Sequence, residues 1–166
     1  MRGNGNGERL LKLPRYKQEW RIICAIMPAY LADGTNGTAI MYIDGSVEEV
    51  ARRLCWVLDD LLGYLKSSKD VLRKQSCDVL GREARRVPLV LSADFCLIPV
   101  KGREIIGEHD STVGYIVYHH VEKIHPADGG PEVYCSGNTI MQVFDRPQTL
   151  WDNIELAEQI NQCMCA

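Results

Sequence analysis

The feature that most restricts the fold of this chain is a pair of short apolar runs separated by a turn. Trp20 to Leu31 is rich in isoleucine, Asp33-Gly34-Thr35-Asn36-Gly37 interrupts it, and Thr38-Ala39-Ile40-Met41-Tyr42-Ile43 follows before Asp44-Gly45. Runs of this length bounded by Asp, Gly and Asn read as a β-hairpin. Ser46-Val47-Glu48-Glu49 has the spacing of a capping box. Behind it Val47, Val50, Leu54, Val57, Leu58, Leu61 and Leu65 recur at helical spacing, which predicts a long amphipathic helix over 46–66.

A second helix is predicted over 67–80, with Val71, Leu72, Gln75 and Val79 turned inward and Gly81 as its stop. Leu89-Val90-Leu91 and Phe95 to Val100 are strand-like, and Pro99 favours an edge or a strand end. Thr112 to Val121 alternates, with Val113, Tyr115, Val117, His119 and Val121 on one side. Ser136-Gly137-Asn138 makes a tight hairpin between 132–135 and 139–144. A last helix opens at Pro147-Gln148-Thr149, with Thr149 and Asp152 as its cap and Leu150, Ile154, Ala157, Ile160 and Met164 on one stripe. The expected class is α+β: a mostly antiparallel sheet with an N-terminal hairpin, a long amphipathic helix and a C-terminal helix. Residues 1–19 are expected to form a flexible N-terminal segment, with a single domain over 20–166.

At 166 residues, 46% hydrophobic and 25% charged, the chain is large enough to close a core without disulfide or metal staples. No run approaches about 18 consecutive apolar residues, so no membrane span is expected. Arg2 is not followed by an apolar stretch, so a secretory signal is not expected either. The seven cysteines are scattered singly, which reads as reduced thiols in a cytoplasmic protein. Cys163 and Cys165 are one residue apart, and His119 and His120 are adjacent, so neither pair has the spacing of a metal site. No metal or cofactor is expected. Cys135 with His119 or His120, oriented by Asp110, is the one conceivable nucleophilic set. No motif surrounds it, and a strand cysteine is ordinarily a small core hydrophobe. The chain is read as not an enzyme.

The net charge of −3 conceals a division along the chain. Residues 1–65 are neutral, residues 66–103 carry +5, and residues 104–166 carry −8. The middle segment supplies Lys69, Arg73, Lys74, Arg82, Arg85, Arg86, Lys101 and Arg103. A basic face can meet phosphate even on an acidic protein. Arginine suits phosphate and narrow minor grooves because its donors form a rigid, weakly hydrated fork.

Several of these residues fall in a pattern that resembles a known family. Arg85-Arg86-Val87-Pro88-Leu89, a short gap and Phe95-Cys96-Leu97-Ile98-Pro99-Val100 resemble the basic–Pro–apolar, turn, apolar–Pro signature of ComK, the competence transcription factor of Gram-positive bacteria. Tyr115 to Lys123 is similar to that family's next strand, and Ser136-Gly137-Asn138-Thr139 with Met141 resembles its Asn-Gly-Lys-Thr hairpin. The family's Ser/Gly-rich basic stretch ahead of the signature is replaced here by the helical run from Leu54 to Leu80. The resemblance implies a transcription regulator that binds A/T-rich double-stranded DNA through the minor groove and works as a homo-oligomer. The eight basic residues named above are then its expected contacts. The alternative is a non-enzymatic protein-interaction or small-ligand module on the same fold, using the acidic C-terminal third. An exposed apolar stripe on the last helix would favour that alternative.

Overall fold

A computed structural model of the chain describes residues 13–103 and 112–165, with side chains as far as Cys163. Its fold is α+β. Strands β1 (Ile23–Tyr30), β2 (Asn36–Tyr42), β3 (Val47–Val50), β4 (Leu89–Ser92), β5 (Phe95–Lys101) and β6 (Val113–Val117) form one antiparallel sheet in the order β3-β2-β1-β6-β5-β4. Two three-stranded meanders thus meet at β1 and β6, where Ala25 pairs with Ile116 and Ile26 with Tyr115. A second, smaller sheet contains β7 (Val121–His125), β8 (Glu132–Cys135) and β9 (Ile140–Gln142). The helices are α1 (Arg15–Gln18), α2 (Leu54–Tyr64), α3 (Lys69–Leu80) and α4 (Pro147–Cys165).

The large sheet is buried on both faces, which explains why its strands read as continuous apolar runs. Ile26, Ile40, Tyr42, Leu89, Leu97, Tyr115 and Val117 pack on one face against Tyr16, Leu58, Leu61, Leu62 and Leu72 of α1, α2 and α3. Cys24, Met27, Val90, Cys96, Ile98 and Ile116 pack on the other. There they meet Val133, Cys135 and Met141 of the small sheet and Leu150, Ile154, Ala157 and Ile160 of α4. The apolar stripe of α4 is therefore buried from Leu150 to Ile160, where it is not the open surface that a protein partner would need; the Met164 side chain lies outside the described residues. No helix among the described residues is long and apolar enough to cross a membrane.

The hairpin, the strand pairs and the C-terminal helix stand where the sequence places them, and several details differ. Residues 47–50 are strand, not helix. Val47 to Val50 pair with Met41 to Thr38 of β2, and Tyr42 Oη donates to Glu48 Oε1 at 2.6 Å. A ladder along β2 outweighs the capping-box pattern, and α2 starts only at Leu54. The expected flexible segment is folded from residue 15 onward: Tyr16 is buried and donates to Asp60 of α2, while Lys17 pairs with the same carboxylate at 3.0 Å. Residues 1–12 of that segment lie outside the described residues. The alternation from Thr112 holds only to Val117, after which a 3-10 turn at Tyr118–His120 passes the chain to the small sheet. In α3, Ser68 accepts from the Val71 N–H at 3.2 Å, and Gly81 ends the helix. Its inner side is Leu72, Ser76 and Cys77, however, with Val71 exposed. Helix α4 begins at Pro147, which places Thr149 inside its first turn rather than at its cap. Pro99 sits beyond Leu97, the last residue of β5 that pairs with β4, so β5 has no outer neighbour there.

Two sets of residues give tests of this packing. Gly137 has φ +74°, and a Cβ there would lie 1.9 Å from the Ile43 carbonyl oxygen; Gly45 has φ +87° but open space around it. Gly45→Ala should cost about 1–2 kcal/mol from backbone strain alone, and Gly137→Ala clearly more, in urea unfolding. Burial, then hydrogen bonding to Asp60 and Glu48, raises the phenol pKa of Tyr16 and Tyr42 above the ordinary 10.0. Folding therefore retains these protons at a pH where the unfolded chain loses them. Their stabilisation is complete below about pH 10 and declines above it, and the decline should be shallower in Tyr16→Phe when the unfolding midpoint is followed against pH.

Candidate nucleic-acid interface

The excess positive charge gathers at one end of the helix-covered face. A cavity of about 440 Å³ opens there, between the start of α2, the start of α3, the loop ahead of β4 and the ends of the sheet strands. Arg53, Lys69, Arg85, Arg86 and Arg103 line it, and among the described residues no carboxylate does. Its floor is apolar: Pro28 of β1, Leu54 and Leu58 of α2, Pro99 of β5, and Val113 and Tyr115 of β6.

Each cation is delivered by a local structural cause. Arg53 occupies the N-cap position of α2 with extended backbone and no side-chain cap, so the first-turn N–H groups of that helix make no bond to the N-cap side chain. Lys69 is the first residue of α3, fixed by the Ser68 cap. Arg85 and Arg86 lie in a loop tied back to α3. Ser76 Oγ donates to the Pro88 carbonyl at 2.6 Å, and Arg73 Nη1 reaches Glu83 Oε2 at 3.3 Å and the Ala84 carbonyl at 3.4 Å. Arg103 donates to Asn36 Oδ1 at 2.7 Å and stacks on Tyr30, 4.2 Å from the ring centroid. Tyr115, beneath them, has its phenol pKa raised by burial, with the Arg86 charge working in the opposite direction. Arg53, Lys69, Arg85 and Arg86 form no ion pair among the described residues.

Four of the eight basic residues singled out in the sequence therefore converge: Lys69, Arg85, Arg86 and Arg103. Lys74 and Arg82 are exposed but do not line the cavity, and Arg73 is occupied in holding the loop. Lys101 also lies outside it; its backbone N–H bonds the Asp145 carboxylate at 3.0 and 3.1 Å. Arg53 is the residue that sequence reasoning missed. Arg53 stands at a helix start beside the cavity only because α2 begins at Leu54 and not at 46. An arginine pair directly ahead of the Leu54 stripe was the available signal.

The other sequence candidates are dispersed. Cys135 is buried in β8 beside Cys24, whose thiol pKa is pushed up by its hydrogen bond to Cys135 and by burial. His120 Nε2 donates to the Arg21 carbonyl at 2.8 Å, and His119 Nδ1 lies 4.0 Å from Asp94. His109, Asp110 and the Cys165 side chain lie outside the described residues.

The loop bearing Arg85 and Arg86 depends on the buried Ser76 hydroxyl. Ser76→Ala should cost about 1–3 kcal/mol by leaving the Pro88 carbonyl without its partner, and trypsin cleavage within 82–86 should accelerate. Comparison of the chain with protein-family models, curated proteins and solved structures finds no match in any of the three.

Proposed function

We propose that this chain is a non-enzymatic, cytoplasmic DNA-binding transcription regulator similar to ComK, and that it binds A/T-rich duplex as a homo-oligomer through the basic basin. The observation that carries the reading is the convergence of Arg53, Lys69, Arg85, Arg86 and Arg103 on one concave surface, with no carboxylate lining it among the described residues. These residues come from four separate stretches of chain. Cations that serve only to solvate a surface have no reason to gather in this way, and Arg53, Arg85 and Arg86, which form no ion pair among the described residues, are available to phosphate. Asp152, Glu155 and Glu158 of α4 belong to a helix packed on the opposite face of the sheet, away from approach on this side. Lys74 and Arg82, exposed on α3 and just after it, extend the positive field toward a long polyanion.

Fluorescence anisotropy with A/T-rich and G/C-rich duplexes over a range of salt concentrations tests this. Affinity should be higher for A/T-rich duplex and should fall steeply with salt. Arg85→Ala with Arg86→Ala should reduce the slope of log K against log salt by about 0.9 for each phosphate that the variant no longer neutralises. Lys101→Ala should leave the slope unchanged. Absent binding, or binding insensitive to salt, would overturn the reading.

A further inference from the structure

We propose that the cavity within the basic basin is a binding site for a small amphipathic anion, an organic carboxylate with an apolar body. Two features of the site, which a phosphate backbone alone would not use together, point to that class. Every charged side chain that lines the cavity among the described residues is cationic, which selects a negative head group. The floor, made by Pro28, Leu54, Leu58, Pro99, Val113 and Tyr115, is apolar, which selects a body that gains by leaving water. The two prolines have no N–H, so the strand ends at the floor offer no backbone donor at those positions. A compact polar anion would leave this surface wetted and unused. A neutral apolar molecule would leave the rim charges unanswered.

Size and geometry agree with this assignment. About 440 Å³ lies within the range of about 300–1,000 Å³ that small-molecule sites occupy. Arginine forks bind carboxylate through two parallel hydrogen bonds, and Arg53, Arg85 and Arg86 are free of internal ion pairs among the described residues. The open first turn of α2 adds backbone N–H groups and the positive end of its dipole at Leu54 and Cys55, both of which line the cavity.

The site shares its cations with the surface proposed to meet DNA. On that reading, a bound carboxylate neutralises charges that phosphate would otherwise use, so ligand and DNA weaken each other reciprocally. This regulatory consequence rests on the DNA-binding proposal; the ligand site itself does not.

Cys55 provides a reporter, because its thiol is exposed and the residue lines the cavity, whereas Cys163 is exposed on α4. The full-length protein is treated with iodoacetamide in the presence of octanoate, acetate, octanol or inorganic phosphate, and alkylation of each cysteine is followed by mass spectrometry. Octanoate should slow labelling of Cys55 at least tenfold and leave Cys163 unaffected, and the other three compounds should protect only at concentrations at least tenfold higher. Calorimetric titration of octanoate should show a single site, and Arg85→Gln with Arg86→Gln, both on exposed positions, should weaken it at least tenfold. Equal protection by octanol would reveal a merely apolar hollow, and equal protection by acetate or phosphate a merely cationic surface. Either result, or no protection by octanoate, overturns the proposal. Anisotropy on the same samples separates the two readings: octanoate binding without DNA binding removes the DNA proposal alone, and DNA binding without octanoate binding removes this one alone.

Discussion

The rest of the structure depends on a sheet that is buried on both faces. In β5, Phe95 and Leu97 enter one core while Cys96, Ile98 and Val100 enter the other. Two-sided burial makes register unforgiving, because a slip of one residue exchanges the two sets wholesale. It also explains how a 166-residue chain supports two distinct clusters, one sealed by α1, α2 and α3, the other by α4 and the small sheet. The charged faces described above are laid over these two cores.

Separation of charge follows from that layering. The basic segment supplies α3, the loop after it and the strand ends on the α2 side, while the acidic segment supplies α4 on the far side. Net charge is thus a poor guide to what either face attracts. Within the basic face, the cations play unequal parts. Arg73 is spent on Glu83 and the Ala84 carbonyl, and by holding that loop it helps place Arg85 and Arg86 at the rim. Arg103 is braced by Asn36 and Tyr30. A basin built this way is partly pre-organised, so less side-chain freedom is given up when an anion arrives.

Much of this fold was legible in the sequence because its signals were local. Asp33 to Gly37 marked the first hairpin, Gly81 marked a helix end, and Ser136-Gly137-Asn138 marked a turn in which Gly137 and Asn138 both take positive φ. Signals failed where a distant strand decided the outcome. Ser46 to Glu49 has the local pattern of a helix start, but β2 offered an open edge and took the segment as β3. Tyr16 was inconspicuous in sequence because its partner, Asp60, lies 44 residues away. The candidate site was legible in part for the same reason. Clustering of Arg85 and Arg86 is visible in one dimension, whereas bringing Arg53 and Lys69 beside them requires two helix starts to be packed on the same sheet.

The meeting of β1 and β6 carries a consequence for how the molecule assembles. Each meander is joined by connections that keep its pairing close in sequence, so each half-sheet can form early, from its own neighbourhood. Their junction pairs only Ala25 with Ile116 and Ile26 with Tyr115, across most of the chain, and such distant closure comes late. The cavity straddles that junction: Pro28 and Gly37 belong to the first meander, Pro99 and Tyr115 to the second. It therefore comes into being only when the two halves dock. Whatever occupies it acts as a clasp across the narrowest seam in the sheet and favours the docked state by mass action.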